Sequence, residues 1–535
     1  MNKKLARYTI VVIPALAFLV LLSSTAPADD LVFRNDFICY DTLNTECFNR
    51  NAWNDVSLDS VGNISQINST SLYPGALSFY QFNRFDRYGD QALPVDNFMP
   101  DTLCLDTIWG VTSRIHCYTN EGGQTATTGV ANFVPGSNYP QDSRTVAFRF
   151  DKDGSELGHP VCFDCDIPYT FCDGPYLASG DVSSAGVIGA VWSAYHVGYP
   201  NDDSLYVRLY YPDGDSLGRR LGVYELPAAM EYNWVRLQPR MGLADDNSLV
   251  VAWISGNSDY TFFAIYNADG SPRTDIMQAD SLGGEWSSRF AFGPSHLDLA
   301  MEADGDFYIA WFGYSWSDCA GWSQVYMRGF NADGTPKYDL MRVTDTDSTW
   351  MCDGEWIQPS IDCDDSGNVL VVWSDARDYP GFNPWGYTPR NVYAQKIDPE
   401  GNLVGPNYRI NNNLGNACYY GDNSMCDMNN AGQAIILWQN YLTPYRVTAQ
   451  LMPYHDIGTF VPGDLNLDSK GNISDLTHLL TYLFGDQFDS ISFWPKSLPD
   501  FNADGKSGNI SDVCYMVSYL FGMPGGPAPH TPDAG

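Results

Sequence analysis

One short apolar strand that ends in tryptophan recurs along the middle of the chain, and this repeat constrains the fold more than any other feature. The copies VIGAVW, LVVAW, FYIAW, VLVVW and AIILW end at Trp192, Trp253, Trp311, Trp373 and Trp438. Successive tryptophans are 61, 58, 62 and 65 residues apart. Units of about 60 residues built from short strands are typical of β-propeller blades and not of helical solenoids.

A second repeated element follows most of these strands. The turns FDKDGSELG, YYPDGDSLG, YNADGSPR, FNADGTPK and IDPEGNLVG align at Gly154, Gly214, Gly270, Gly334 and Gly401. A glycine after Asp, Glu or a similar residue, flanked by apolar positions, predicts a hairpin because glycine accepts the positive φ of a tight turn. Each repeat therefore holds at least two hairpins.

The repeat extends beyond the five tryptophans in both directions. VANFVPG, around Phe133, is aligned with the tryptophan position of an earlier unit, and FNRFDRYGDQ, around Gly89, with a still earlier hairpin. RVTAQLMPYHDIG closes the last unit. The sequence predicts an all-β propeller of six to eight blades, with seven favoured, over residues 29–458.

The blades resemble a family of secreted bacterial propeller repeats. The unit EWIQPSIDCDDSGNVLVVWSDARDYPGFNPWGYTPRNVYAQKIDPEGN carries the resemblance most clearly. The resemblance implies a fold and little about chemistry.

The recurring tryptophans have two interpretations. A ring of exposed indoles would stack on sugar faces, whereas buried indoles would fill the gaps between blades. Packing is favoured because the residue keeps one fixed blade position. We expect ligands instead at aromatic and acidic loops such as AYHVGYPNDD, FGYSWSDCAGWS and DYPGFNPWGYTP.

The first 28 residues have the pattern of an export signal. Lys3, Lys4 and Arg7 precede an apolar run over residues 8–22, and small residues at 26–28 suit a signal peptidase. The run is shorter than the roughly 20 residues of a spanning helix. We expect a secreted or extracellular protein that does not span the membrane, and association with a cell surface stays open.

The chain is strongly acidic. The formal charge of −35 becomes −38 without the three basic residues of the signal. Such a surface repels phosphate backbones and excludes nucleic acid as a partner, while calcium and basic partners stay open. Solubility in an exported protein explains most of these carboxylates.

Thirteen cysteines in an exported chain indicate disulfides. Proximity suggests these pairs: Cys39–Cys47, Cys104–Cys117, Cys352–Cys363 and Cys418–Cys426. Cys162, Cys165 and Cys172 form a trio that suits disulfide pairing better than zinc, because no second C-x2-C supplies the remaining ligands. Cys514 is expected to be a buried free thiol.

Catalytic motifs are missing from the sequence. It contains no H-E-x-x-H, no G-x-S-x-G and no S-x-D-x-G-x-T-W box, and arginines are scattered over several units. Asp375 and Arg377 could clamp a substrate, but an internal salt bridge is the favoured interpretation. Because propeller active sites assemble from distant residues, catalysis remains open and no catalytic residue is assigned.

The end of the chain contains two acidic loops, each followed by an apolar helix pattern. Oxygen ligands fall at the spacing of a twelve-residue calcium loop, which predicts Ca²⁺ as a cofactor. In the first loop the predicted ligands are Asp464, Asn466, Asp468, Lys470 through its carbonyl, Asn472 and Asp475. In the second loop they are Asp500, Asn502, Asp504, Lys506 and Asp512.

These paired loops, with paired NISD and YLFG segments, resemble a dockerin of type I-like pattern over residues 459–527, and residues 528–535 are expected to be a disordered tail. The resemblance implies a small α-helical domain that binds calcium and a cohesin-like partner on a scaffold or cell surface. Matching recognition positions, together with nearby exposed candidates, are Ile473, Ser474, Thr477, His478, Ile510 and Ser511. An extra residue before Asp512, and Ser469 in place of the usual glycine, depart from the pattern.

Three hypotheses follow for function. The first is an exported propeller that binds an extracellular ligand, such as a polysaccharide, and docks through its tail. The second is a propeller glycoside hydrolase or polysaccharide lyase delivered by the same tail. The third is a structural surface component. Glycan-array binding alongside a hydrolysis screen separates the first two, and the cheaper discriminator is whether carboxylates and arginine converge at the central channel.

Overall fold

A computed structural model describes the fold. The described residues are 36–39, 54–71, 78–85, 96–98, 116–132, 143–166, 174–195, 204–225, 239–255, 260–280, 297–315, 322–345, 359–375, 377, 390–411, 424–440, 446–457, 473, 476–477, 479–480 and 510–520. The chain divides into two compact units, residues 1–33 and 34–535. All described residues belong to the second unit.

The described residues form seven antiparallel sheets, which are the blades of a β-propeller. The predicted all-β propeller and the favoured number of seven blades are confirmed, while the small calcium-loop domain at the end of the chain stays a prediction. Consecutive strands pair within each blade, so every blade is a meander that runs outward from an inner strand. Inner strands of neighbouring blades lie side by side around the ring.

The first three blades hold the following strands. Blade 1 contains β2 (Asn54–Leu58), β3 (Ile64–Ser71), β4 (Ser78–Phe85) and β5 (Asp96–Phe98). Blade 2 contains β6 (His116–Thr119), β7 (Thr125–Asn132), β8 (Ser143–Phe150) and β9 (Val161–Cys162). Blade 3 contains β10 (Gly174–Val182), β11 (Ile188–Tyr195), β12 (Ser204–Tyr211), a 3-10 turn (Pro212–Gly214), β13 (Ser216–Leu217) and β14 (Leu221–Glu225).

The remaining four blades follow the same order. Blade 4 contains β15 (Arg240–Leu243), β16 (Leu249–Ser255), β17 (Tyr260–Tyr266) and β18 (Met277–Gln278). Blade 5 contains β19 (Leu297–Met301), β20 (Phe307–Ser315), β21 (Trp322–Phe330) and β22 (Met341–Arg342). Blade 6 contains β23 (Ser360–Cys363), β24 (Val369–Asp375), β25 (Asn391–Ile397) and β26 (Leu403–Arg409). Blade 7 contains β27 (Met425–Met428), β28 (Gln433–Asn440), β29 (Arg446–Pro453), a 3-10 turn (Tyr454–Asp456) and, as its outer strand, β1 (Asp36–Cys39).

Blade 7 closes the ring with strands from both ends of the propeller. Strand β1 pairs antiparallel with β29, in a register that places Asp36 opposite Gln450. The inner strand β27 lies beside β2 of blade 1. Because the outer strand of the last blade comes from the start of the chain, the ring is held closed by backbone hydrogen bonds as well as by side-chain packing.

The predicted outer turns are confirmed at four positions and shifted at one. Gly154, Gly270, Gly334 and Gly401 all have φ between +79° and +83°. In blade 3 the 3-10 turn carries the chain one residue further, and the positive φ falls on Asp215 instead of Gly214. The aspartate adopts the left-handed conformation that glycine takes in the other blades.

The five recurring tryptophans are buried, so the packing interpretation is confirmed. Trp192, Trp253 and Trp373 are fully buried, and Trp311 and Trp438 are 2% and 4% exposed. Each lies six positions after the residue of positive φ in the turn that follows the inner strand. In blade 2 that turn residue is Gly123, so the equivalent position is Gly129, and the alignment to Phe133 was wrong by four residues. Phe133 itself lies outside the described residues.

The core lies between blades. Six described clusters join blades 2 and 3, 3 and 4, 4 and 5, 5 and 6, 6 and 7, and 7 and 1. Between blades 1 and 2 a stacked pair, Phe82 and Phe150, accompanies a polar group in which Arg84 donates to Asp59 at 2.7 Å. Apolar clusters therefore join the other six pairs of blades, whereas a stacked aromatic pair and polar contacts, among them Ser65 to Thr125 at 2.9 Å, join blades 1 and 2.

Three of the predicted disulfides are wrong. Cys117, Cys363 and Cys426 are free, buried thiols on inner strands. Cys363 and Cys426 pack in the clusters that join their blades to the preceding ones, and the thiol of Cys426 lies 3.6 Å from the Ser360 hydroxyl oxygen in blade 6. The fourth predicted pair, Cys39–Cys47, stays a prediction because Cys47 lies outside the described residues. Within the trio, Cys162 and Cys165 form a disulfide, which excludes a zinc site that uses both as thiolates.

The described part of the terminal region is helical. Helix α1 spans Ile510–Leu520, and residues 473, 476–477 and 479–480 are also helical. Cys514 on α1 is a free thiol as predicted, but it is exposed and not buried. No helix among the described residues combines the length and the apolarity needed to span a membrane.

Candidate functional site

The inner strands of all seven blades surround a polar cavity on the propeller axis. Its volume is about 250 Å³, and residues from β2, β6, β10, β15, β19, β23 and β27 line it. The turn after each inner strand contains one residue of positive φ, which is Asn247 in blade 4 and a glycine in the other six. Counting back from this residue aligns the seven blades in register.

This count defines three tiers of side chains at or beside the cavity, from the turns inward. The rim tier, two residues before the positive-φ residue, contains Ser60, Glu121, Ser184, Asp245, Ala303, Asp365 and Asn430. The middle tier, five residues before it, contains Ser57, Tyr118, Asp181, Gly242, Ala300, Asp362 and Asp427. The deep tier, seven residues before it, contains Asp55, His116, Ser179, Arg240, Asp298, Ser360 and Met425.

Middle-tier side chains tie each blade to the next. Asp181 of blade 3 accepts a hydrogen bond from the backbone N–H of Leu243 in blade 4, at 2.7 Å. In the same way Asp362 accepts from Met428, and Asp427 accepts from Leu58 across the closure of the ring. A short acceptor at this position therefore caps a backbone donor of the next inner strand that has no partner within its own sheet.

The deep tier repeats this arrangement one step further in. Asp55 accepts from the N–H of Cys117 at 2.8 Å, and Asp298 accepts from that of Ile361 at 3.1 Å. The Ser360 hydroxyl accepts from Cys426 at 3.1 Å. A carboxylate has about four lone-pair sites, so these backbone bonds leave acceptor capacity on the same oxygens.

Carboxylates dominate the charge of the cavity. The described lining residues include eight of them: Asp55, Glu121, Asp181, Asp245, Asp298, Asp362, Asp365 and Asp427. The same lining residues include neither lysine nor arginine. Burial raises the pKa of Asp181 to about 7, against the lowering effect of the N–H groups of Val182 and Leu243. A buried acid of this kind holds its proton close to neutral pH.

Asp362 and Asp427 form a hydrogen-bonded pair of acids in adjacent blades. Burial raises the pKa of Asp362 to about 7, although the N–H groups of Met428 and Cys363 favour its charged form. Burial and the negative charge of Asp362 together raise the pKa of Asp427 well above its usual value. The pair therefore shares a proton at neutral pH, as two crowded carboxyl groups do.

His116 offers the cavity an acceptor of a different kind. The imidazole is 5% exposed, its Nδ1 lies 3.3 Å from Asp55 Oδ2, and its Nε2 has no hydrogen-bond partner. Burial lowers the pKa of His116, and the positive charge of Arg240 lowers it further, while Asp55 opposes both. A neutral ring that donates from Nδ1 to Asp55 has its lone pair on Nε2, in the wall of the cavity.

Arg240 belongs to the deep tier but does not line the cavity. Its Nε donates to Asp298 Oδ1 at 3.0 Å, and its Nη1 donates to the carbonyl of Pro239 at 3.1 Å. The guanidinium thereby compensates Asp298, which does line the cavity. Carboxylates thus converge at the central channel, and one arginine lies beside it without lining it.

The convergence was not predicted residue by residue, although a sequence signal was present. Inner strands are short, and SIDC of blade 6 and MCDM of blade 7 have little in common as strings. Their aspartates align only when the glycine of the following turn, Gly367 or Gly432, sets the count. The sequence analysis aligned the outer turns and the tryptophans instead, and so it missed the channel residues.

The predicted substrate clamp in blade 6 is an internal salt bridge. Asp375 is fully buried, and Arg377 donates to it at 2.6 Å and to Asp345 at 2.7 Å. The guanidinium also lies over the ring of Tyr393, 4.3 Å from its centroid. The favoured interpretation is confirmed. The aromatic loops predicted to bind ligands fall largely outside the described residues.

One group of acids away from the cavity has the spacing of a metal site. Glu302, Asp304 and Asp306 each place an oxygen within 4.8 Å of the others. Lys337 occupies this group, with its Nζ 2.9 Å from Glu302 and 2.9 Å from Asp306. The lysine supplies the positive charge that a cation would supply, so this group is a structural ion pair.

Most predicted calcium ligands and two of the predicted partner-binding residues lie outside the described residues. Among those described, Asp512 is fully buried in the first turn of α1. Ile473 and Ile510 are 38% and 48% exposed, and Thr477 is exposed and donates to the carbonyl of Ile473. Ser511, at the start of α1, is half-buried.

Comparisons with known proteins add a fold likeness. No family model matches the chain, and no curated protein matches it. Similar solved structures include the polysaccharide lyase Uly1, with 9% identity over 75% of this chain and 89% of the other, at a TM-score of 0.44. The Penicillium chrysogenum alpha-L-arabinanase has 9% identity over 80% and 99%, at a TM-score of 0.40. A Dyadobacter fermentans protein of unknown function has 14% identity over 68% and 96%, also at 0.40.

Proposed function

We propose that this protein is an exported propeller that binds an extracellular saccharide in its central cavity and docks through a calcium-dependent terminal module to a cohesin-like partner. The observation that carries the binding site is the carboxylate-lined cavity, with His116 Nε2 buried in its wall and without a hydrogen-bond partner. A buried polar atom of this kind costs free energy unless a ligand or water satisfies it.

A saccharide suits the chemistry of the cavity. The lining offers mainly acceptors, which are carboxylate oxygens and one imidazole nitrogen, and a sugar offers several donors on a compact ring. The acceptors are fixed by backbone bonds between blades, as at Asp181 and Leu243, so little ordering remains to oppose binding. Rigid, preformed polar groups of this kind are typical of small-molecule sites.

The experiment that tests the site is a glycan array probed with the full chain, followed by titration of each positive glycan. We expect at least one saccharide to bind and to compete for the same site as the others. Loss of binding in the cavity variant Asp245→Asn, with retention in the exposed turn variant Asp333→Asn, would place the glycan in the cavity. If no glycan binds, the saccharide proposal is wrong.

Docking through the terminal module rests on the duplicated loops. Two described features support it. Leu476 and Leu479 are buried, and so are Val513 and Met516 at the equivalent positions 37 residues later. Ile473 and Ile510, equivalent in the same way, are exposed. An apolar pair exposed at equivalent positions of a duplicated module suits a partner surface.

Calcium titration of the full chain by calorimetry tests this part of the proposal. We expect calcium to bind in the micromolar range or tighter, and Asp475→Asn and Asp512→Asn each to weaken one binding event. The additional residue before Asp512 should make the second loop the weaker one. Calcium binding that both variants leave unchanged would contradict the assignment of these loops.

A second candidate function is catalysis of glycan cleavage in the same cavity. The observation that favours it is the Asp55–His116 pair, which leaves Nε2 of a neutral imidazole in the cavity wall as a candidate proton acceptor. A screen for hydrolysis or elimination of the glycans that bind, with His116→Gln as control, tests it. Cleavage that persists in His116→Gln would exclude His116 as the base.

A further inference from the structure

We infer that the cavity selects a positively charged ligand, an amine-bearing saccharide unit, over neutral and anionic sugars. This inference rests on the proposed saccharide site and names its ligand class. It follows from the balance of charge in the cavity, from the free acceptor positions and from the spacing of the carboxylates.

The balance of charge in the cavity is strongly negative. Eight carboxylates line it, and the described lining residues contain neither lysine nor arginine. Arg240 compensates Asp298, Asp362 and Asp427 share a proton, and Asp181 holds its proton close to neutral pH, so these groups contribute less than their full charge. Partly buried charge without a partner is unfavourable, and a bound cation would relieve it. An anionic sugar, such as a uronate, would add to the repulsion.

The free acceptor positions suit an ammonium group. At Asp181, Oδ1 accepts from the N–H of Val182 and Oδ2 from that of Leu243. About two lone-pair sites of this carboxylate therefore remain for a ligand. His116 Nε2 adds a buried acceptor at the same cavity. Charge-assisted hydrogen bonds from an ammonium to such groups are shorter and roughly twice as strong as neutral ones.

The spacing of the carboxylates favours an organic cation over a bare metal ion. Among the described residues, one group of three His, Cys, Asp or Glu side chains is close enough to share a metal ion. It consists of Glu302, Asp304 and Asp306, and Lys337 already occupies it. The carboxylates of the cavity come from separate blades and three tiers, and they do not close around one point. A ligand with an ammonium and several hydroxyl groups spans such a set, whereas a single ion does not.

The test compares oligosaccharides that differ only in the charge of one substituent. Glucosamine oligomers and their N-acetylated forms share a backbone, and oligogalacturonate supplies the anionic case. Calorimetry on the full chain at about pH 6, where the amines are protonated, and at about 0.15 M salt, where surface charges are screened within about 8 Å, gives the three affinities. We expect the amine form to bind at least about tenfold more tightly than the acetylated form, and the galacturonate not to bind.

Variants separate the cavity from the acidic surface. Asp245→Asn removes one exposed lining carboxylate, Asp181→Asn removes a half-buried one, and Asp333→Asn removes an exposed charge on an outer turn. Asp245→Asn should weaken amine binding at least about threefold. Asp181→Asn should weaken it less, because the Asp181 carboxyl, with a pKa of about 7, mostly holds its proton at pH 6, and Asp333→Asn should leave it unchanged. Thermal melting of each variant checks that it is folded. If Asp181→Asn does not fold, Asp245→Asn still decides the test.

The possible results separate the inference about ligand charge from the proposal that the cavity binds a saccharide. Equal or tighter binding of the acetylated form would overturn the charge inference while the saccharide site stands. A similar loss with Asp333→Asn and Asp245→Asn would also overturn it, because surface attraction would then explain the preference. Failure of all three oligomers to bind would remove support from the saccharide site as well.

Discussion

Buried carboxylates occur in two settings in this propeller, inside single blades and around the central cavity. Inside blades, three of them have a cation in contact: Asp59 has Arg84, Glu302 has Lys337 and Asp375 has Arg377. Around the cavity, Asp181, Asp362 and Asp427 have backbone N–H groups and one another. The same side chain is thus paired with a cation in the first setting, whereas Asp181, Asp362 and Asp427 have no cation partner among the described residues.

The contrast teaches which carboxylates belong to the fold and which are available to a ligand. An ion pair inside a blade is complete, and removing one partner leaves the other buried without its counter-charge. A carboxylate of the cavity accepts a hydrogen bond from a neighbouring backbone N–H group. It also faces the open cavity, either charged or with a raised pKa. We therefore assign the first set to stability and the second to binding.

The largest effect is expected at the blade 6 ion pair. Arg377→Leu leaves Asp375 buried without its cation and should destabilise the protein by about 3–5 kcal/mol. Urea unfolding of the full chain measures the change. Arg273→Leu is the matched control, because Arg273 and Asp246 form an exposed pair worth about 1 kcal/mol or less. Equal losses in the two variants would contradict the contrast.

A smaller effect is expected in the dependence of stability on pH. The folded-state pKa of Asp181 is raised to about 7, from an ordinary value near 3.8, so the folded protein binds more protons than the unfolded chain between these values. Its contribution to the free energy of unfolding is therefore greatest near pH 4, falls as pH rises towards 7 and is then constant. The difference between wild type and Asp181→Asn, measured from pH 4 to 8, isolates this term.

The sign of this difference in stability decides whether the raised pKa of Asp181 is correct. We expect wild type to lose stability relative to Asp181→Asn as pH rises, and the loss to shrink when a glucosamine oligomer is present. A difference that does not change with pH, or that grows in favour of wild type as pH rises, would show that the cavity does not raise the pKa of Asp181.

The smallest effect is expected for Asp427→Asn. The amide keeps an oxygen to accept from Leu58 and is neutral, as the protonated acid is at neutral pH. The change in the free energy of unfolding should be within about 1 kcal/mol at pH 7. Asp375→Asn, in contact with Arg377, should cost clearly more. Reversal of this order would mean that Asp427 is ionised and paired.

The propeller could be predicted from sequence because the blades repeat one physical requirement. Each seam needs a large buried side chain, and Trp192, Trp253, Trp311, Trp373 and Trp438 supply it at a constant distance from a turn. The prediction failed where the requirement is met differently. In blade 2 the position is Gly129, and the seam with blade 1 is filled by the stacked Phe82–Phe150 pair, so no tryptophan marked the register.

The channel could not be predicted because its residues do not share a type. The middle tier mixes Ser57, Tyr118 and Asp181 with glycine and alanine, since only some blades use a side chain to cap the next strand. The cysteine pairs failed for a related reason. Short separation in sequence does not fix where a side chain points, and Cys363 and Cys426 pack in apolar clusters between blades.

A crystal structure of the full chain with a glucosamine trisaccharide tests the central claim most directly. The account predicts ligand density in the central cavity, with an amine nitrogen within about 3 Å of a cavity carboxylate and a donor within the same distance of His116 Nε2. Density for the trisaccharide on the blade faces or outer loops, with only water in the cavity, would contradict it.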